Sequence, residues 1–450
     1  MNKAMKMLFL LMAFFATAIL TAKAQVMDAH APDATMTSDR LDAGNIVDGL
    51  KYDLYSDKTA TVADASKLPA DATEVTIPAS IAIGGETYTV TEIGVNAFMD
   101  KANLETVTIP STVTCINNQA FWQCEKLSTV NFDREQIDYY GRLPFYGTPW
   151  IKNLIDNADG GPVMWKGHMV ALKIDSEPAE TLAIPEGTIG IGKDIELYGE
   201  NKWRSRYVKN LLLPASLKWC GAGDTYVRLF DGLESIAVSP DNPYYFAAEG
   251  CLYQKDYTYA NNKYYTGQWL VVCPRKYPKE TLTVASGTIG IGDQTFYASE
   301  NVKSVIVPEG VKGLGRNVFR YCEVEYVDLP STVEDFMYSF CLVNHKMTVV
   351  LRAATPPITS PWDFSNCTGI DFYVPAASVE AYKAVAGFSQ DHITVQSIDD
   401  IPTAINGINA DMSTADAPTA DAPMYNLAGQ RVGKDYRGMV IQGGKKRLQR

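Results

Sequence analysis

A short pattern recurs along the chain: a Phe, a few small or polar residues, then apolar residues at alternate positions closing on proline. It runs from Phe98 through Leu104, Val107 and Ile109 to Pro110, and again through Phe121, Cys124, Leu127, Val130 and Phe132. It returns at Phe296, Val302, Val305, Val307 and Pro308, and one residue shorter at Phe319, Cys322, Val324, Val327, Leu329 and Pro330. Phe98 and Phe121 stand 23 residues apart. A period of that length belongs to stacked repeats, not to an ordinary globular domain.

Each unit holds one strand with period-2 alternation, so Val107 and Ile109 enter a core while Thr106 and Thr108 line an outer surface. Proline cannot donate to a ladder and ends the strand. One unit is too small to bury its apolar side; stacking units gives a continuous core whose stability is a sum over neighbours. Weaker copies lie at 75–78, 182–185, 211–214 and 233–238, and the series closes at 370–375. Residues 48–398 are therefore expected to form a mainly β leucine-rich-repeat solenoid of roughly ten to fifteen coils. Helical periodicity is scarce between the strands, so the backs of the coils are expected to be turns or short strands.

A longer repeat lies over the short one. The stretches 180–192 and 280–292 share Glu-Thr-Leu and Gly-Thr-Ile-Gly-Ile-Gly at an offset of 100 residues. An insertion precedes each copy, at 147–169 and 241–274, and both read as hairpins protruding from the stack. The second is rich in aromatics. Tyr253, Tyr257, Tyr259, Tyr264, Tyr265 and Trp269 are its candidate partner-binding residues, because such rings join stiff contact area to a polar tip. The alternative is that alternate rings pack the hairpin onto the solenoid. Residues 378–387 read as a short helix, N-capped by Ser378, that covers the last coil.

Residues 1–24 read as a signal peptide: Lys3 and Lys6, an apolar run from Met7 to Leu20, and Ala22-Lys23-Ala24 before Gln25. Cleavage is expected between Ala24 and Gln25. That run is too short to span a bilayer, and no second run is long enough. Losing the three Lys of this segment takes the net charge from −12 to −15. Residues 425–450 carry seven basic residues and one acid, leaving a body of −21. An acidic body opposes nucleic acid and anionic membranes. Residues 25–47 read as an N-terminal linker, 399–423 as a second linker with an Ala-, Asp- and Pro-rich core, and 424–450 as a separate basic tail.

The eight Cys fall mostly at repeat positions, where Cys serves as a small apolar residue; disulfides between stacked units are the alternative. Gly187 to Asp194 nearly matches a phosphate-binding loop, but Asp194 stands where a hydroxyl is required and the twin copy lacks the Lys. The four His are widely spaced, and no zinc, thiol-redox or serine-hydrolase motif occurs. No cofactor, metal or catalytic residue is assigned.

Several local stretches together resemble the BspA-like bacterial surface leucine-rich-repeat family. They are 48–52, 88–98, Gly147-Thr148-Pro149-Trp150, 241–244 with 250–253, and 354–357 with 373–375 and 381–382. The resemblance covers about 350 residues and implies an adhesin that attaches to host matrix proteins, epithelial cells or other microbes. The tail is similar to terminal segments of exported proteins of the same bacterial group, some of which direct type IX secretion and surface attachment. The expectation is an exported, non-enzymatic binding or adhesion protein with a protein or glycan partner, at the cell surface or secreted, and periplasmic if the tail is no sorting signal. The alternatives are a glycan-capture protein, a carboxylate-dependent hydrolase and a self-assembling coat protein.

Overall fold

The computed structural model describes residues 39–402 apart from 175–178, 199–201, 221–228, 261–263 and 360, and the backbone of 424–426, 431–432, 438–442 and 445–449. The expected signal peptide with Ala24 and Gln25, and nearly all of the linker before the tail, lie outside the described residues. The chain is mainly β, a solenoid of about 12 turns spaced near 23 residues.

Each coil repeats one circuit. Between the back strands Cys115–Ile116 and Tyr139–Tyr140, for example, the chain passes through a turn holding Phe121 and then the front strand Thr129–Phe132. The front strands form three parallel sheets of three, three and six strands. Inward residues stack in register, as in Val75, Val107 and Val130. The Phe turn makes a further column. Phe98 N–H donates to Ala120 C=O (2.7 Å) and Phe121 N–H to Pro144 C=O (2.7 Å). Their rings stack at 4.8 and 4.9 Å through Phe98, Phe121 and Phe145, and again at 5.4 and 5.2 Å through Phe296, Phe319 and Phe340.

The hairpins do not protrude. In each of three places an antiparallel hairpin feeds its second strand into the back sheet, where it pairs in parallel with the first coil that follows. Leu50–Tyr55 and Thr59–Asp64 lead into Glu86–Ile93; Gly161–Trp165 and His168–Lys173 into Gly190–Tyr198; Cys251–Ala260 and Tyr264–Val272 into Thr288–Ile291. A strand whose edge is already paired has no reason to leave the stack. The first of the two expected insertions also contains a helix, α1 (Pro149–Asp156).

The hairpins also divide the interior. Met169 and Leu172 face one apolar cluster while Val170 and Ala171 face the preceding one; Trp269 and Val271 pack with the middle cluster and Leu270 with the last. The core is three segments joined through hairpin strands, each strand burying both faces.

At the C-terminal end the structure corrects two expectations. The helix α2 (Val379–Lys383) is followed by another parallel strand, Ile393–Ser397, which is the last of the stack. Ser378 does not cap it by side chain; its hydroxyl donates to Ala354 C=O (2.7 Å), tying the helix to the previous coil. The tail backbone forms a small four-stranded antiparallel sheet.

Candidate binding surface

The outward residues of the front strands line up by register. Thr76, Thr108 and Asn131 form one row and Glu74, Thr106 and Thr129 the next. The middle sheet continues with Thr181, Asn210 and Ser235. Neighbours bond along the rows: Asn131 Nδ2 donates to Thr108 Oγ1 (3.3 Å), Asn210 Nδ2 to Thr181 Oγ1 (3.3 Å) and Ser235 Oγ to Asn210 Oδ1 (2.7 Å). The side chains are short and Asn210 is held from both sides, so a partner meets a surface with little rotamer freedom left to lose.

This face changes character in the third sheet. There the outward positions include Tyr326, Val350 and Tyr373, all buried, with Ile306 beside them. The chain leaving the last strand covers them with Ile398 and Ile401. Asp328 lies among them, held by two hydrogen bonds from Arg352 (2.8 and 2.7 Å). The polar face thus runs along the first two front sheets and Thr281–Thr283, and in the third sheet it narrows to the row Thr348, Asp371 and Thr394 beside the covered patch.

Four of the six candidate aromatic residues are not at the surface. Tyr253 and Trp269 are wholly buried, and Tyr257 and Tyr265 nearly so. The cause is the pairing described above: with the hairpin in the sheet, one set of rings faces the last core segment and the other the middle one. The side chains of Tyr259 and Tyr264 lie outside the described residues.

Half-buried and exposed aromatics occur elsewhere, around the stacked Phe. Trp122 stacks on Tyr146 at 4.2 Å, and Arg320 lies over Tyr321 at 4.8 Å, with Tyr297 6.0 Å from Tyr321. Trp362 is 68% exposed. The signal was in the sequence: once Phe is inward, the next residue points outward, and it is repeatedly large.

A cleft of about 530 Å³ opens between α1 and the hairpin strand after it, lined by Trp150, Asn153, Leu154, Asn157, Asp159 and Met164. Its walls explain the Gly-Thr-Pro-Trp stretch. Gly147 turns at φ +78 beneath the Gln123 side chain. Thr148 caps the helix by accepting from Ile151 N–H (3.2 Å), and Pro149 takes the first helical position, where no N–H is needed. Trp150 packs on Phe145 and Trp165.

Three His serve the stack. His168 Nε2 donates to Ile137 C=O (2.8 Å), while His345 and His392 each place Nε2 on a carbonyl of an adjoining coil, Val324 (2.6 Å) and Phe364 (3.0 Å). Among the described residues only Glu92 is a carboxylate raised above its ordinary range; burial raises it, and bonds from Asn117 and Thr61 oppose the shift. Among the described residues no three His, Cys, Asp or Glu gather where a metal could bind, and no helix is long and apolar enough to cross a membrane.

Twelve short parallel front strands, a Phe column and turn-rich backs define a leucine-rich-repeat β-solenoid. Six copies of the BspA type leucine rich repeat region match residues 76–158 and 276–383. Similar solved structures include a leucine rich cell surface protein from Faecalibacterium prausnitzii (19% identity, 80% of this chain and 96% of that one, TM-score 0.36). A leucine-rich repeat protein from Eubacterium ventriosum is another (20%, 79% and 92%, 0.37). The pneumococcal vaccine antigen PcpA is a third (16%, 79% and 98%, 0.33). No curated protein matches the chain.

Proposed function

We propose that the protein is an exported, non-enzymatic binding or adhesion protein that presents the open front face to a macromolecular partner at the cell surface. One observation carries this reading: in each of the first two front sheets, short Thr, Asn and Ser side chains of neighbouring coils bond to one another along the outer face. Such a surface offers hydrogen-bonding groups at a regular strand spacing and loses little entropy on contact. The match to BspA type leucine rich repeats supports the binding role. The tail at 424–450 is proposed as the sorting or anchoring segment, and deleting it is expected to leave the protein periplasmic; unchanged surface labelling would oppose that.

The functional test is binding of the mature chain to immobilised extracellular-matrix proteins and to a glycan array. Saturable binding that survives deglycosylation of the partner supports a protein ligand; no saturable binding on either platform counts against the proposal. The cleft beside α1 favours a second reading, capture of a glycan. A half-buried indole beside two Asn and an Asp suits a sugar's apolar face and its hydroxyls. In that case free oligosaccharide abolishes binding, and Asn153→Lys removes it.

A further inference from the structure

Eight thiols are present in the chain, and the fold treats them differently. Cys124 donates to Phe98 C=O (3.0 Å), Cys367 to Phe364 C=O (3.0 Å), and Cys341 to Asn317 Oδ1 (2.8 Å). Cys115 contacts the Thr114 hydroxyl (3.6 Å). Cys251 and Cys273 form a pair. Leu252 and Val272 are partners across the antiparallel third hairpin, so the next residues outward, Cys251 and Cys273, oppose each other. Opposed residues in such a ladder have Cα atoms about 4.5–5.5 Å apart, inside the range of about 4.4–6.8 Å that a disulfide spans. After burial, the neighbouring Cys251 thiol is the next cause that raises the Cys273 thiol, whose own hydrogen bond goes to Pro274 C=O (3.8 Å). They are buried, with Tyr253, Tyr277 and Leu282, where the last core segment begins.

We propose that Cys251 and Cys273 are a disulfide-forming pair that clamps the base of the third hairpin when the chain folds in an oxidising compartment. The oxidant is a disulfide, either glutathione disulfide or the active-site disulfide of an oxidoreductase. One thiolate attacks it and forms a mixed disulfide with release of one thiol. The second cysteine then displaces the other sulfur. The pair loses two electrons and two protons, and the oxidant becomes two thiols. Burial holds the Cys273 thiol well above its ordinary range, so the folded thiol is a poor nucleophile and the bond forms during folding. Cys322 is the other thiol whose charge acts on Cys273, which makes it the alternative partner to test.

The test is refolding of the full chain from denaturant in a glutathione redox buffer, followed by alkylation and peptide mass mapping without reductant. The expected result is one linked peptide pair, Cys251 to Cys273, and two of the eight thiols protected from alkylation. Eight alkylated thiols, or Cys273 linked to Cys322, would overturn the proposal. A thermal readout guards against misfolded product. The oxidised chain is expected to melt roughly 5 °C above the reduced one. Cys251→Ala should fold and show no dependence on reductant; an unchanged dependence in that variant would also reject the pair. Because the refolding is done in a defined buffer, the outcome does not depend on whether the protein is exported or what it binds.

Discussion

Gly190 and Gly290 hold the same place in two coils, 100 residues apart, and they explain a motif that resembled a phosphate loop. A Cβ on Gly190 would stand 2.2 Å from the Trp219 ring, and one on Gly290 2.4 Å from Trp269. The glycines leave room for indoles packed on the back sheet. Gly190→Ala and Gly290→Ala are each expected to cost about 1–3 kcal/mol, read by denaturant unfolding. The Phe turns make the opposite demand. Residues two before and two after the stacked Phe take positive φ: Gln294 (57) and Ala298 (52) around Phe296, Tyr338 (52) and Leu342 (58) around Phe340. Asn and Asp fill two such places, Asn96 (59) and Asp100 (60), but Ala298 pays the left-handed cost in full. Ala298→Gly is expected to raise stability by roughly 0.5–1 kcal/mol; a loss would show that the turn tolerates Ala without strain. His168 adds a pH dependence. Desolvation lowers its pKa from 6.5 to about 4, partly offset by its bond to Ile137, and Nδ1 has no partner among the described residues. The unfolded chain therefore binds a proton that the fold refuses, so stability falls as pH drops from about 6.5 to about 4, by about 3 kcal/mol in all. His168→Gln should flatten that part of the profile.

At the scale of elements, the front strands and the Phe period were legible because proline stops, β-branched alternation and a 23-residue spacing are local signals. The parallel stacking followed from them. What was not legible was pairing over distance. Apolar alternation in 251–272 says that a hairpin forms, and nothing in it says whether the second strand ends free or joins the next coil. That choice decided the fate of Tyr253, Tyr257, Tyr265 and Trp269, which are core residues and no longer candidates for contact. Ser378 was misread for a related reason: its hydroxyl found a carbonyl 24 residues back instead of its own helix. The Phe column is an element in its own right. Phe121 lies between Phe98 and Phe145 and is fully buried. Phe121→Ala is expected to cost about 3–5 kcal/mol. Hydrogen exchange should show the loss concentrated at 96–104 and 142–147, with the coils after 280 unchanged, because each coil leans chiefly on its neighbours.

Across the described residues, a stack of coils is cut into three core segments by hairpins that bury both faces, and a front face is open over its first two sheets and partly self-covered at its end. His168, His345 and His392 bind carbonyls of adjoining coils, and the polar rows of the front strands are the most regular outer feature. On the proposed reading the molecule works by contact along the stack. The decisive measurement is affinity for the captured partner after placing charge on each face in turn. If the front face is the contact surface, Thr108→Lys with Asn131→Lys weakens binding more than tenfold, by over about 1.4 kcal/mol, while Trp122→Lys with Tyr146→Lys on the turn side leaves it within twofold. The reverse pattern, with both proteins folded, would place the partner on the aromatic ridge and contradict the front-face assignment.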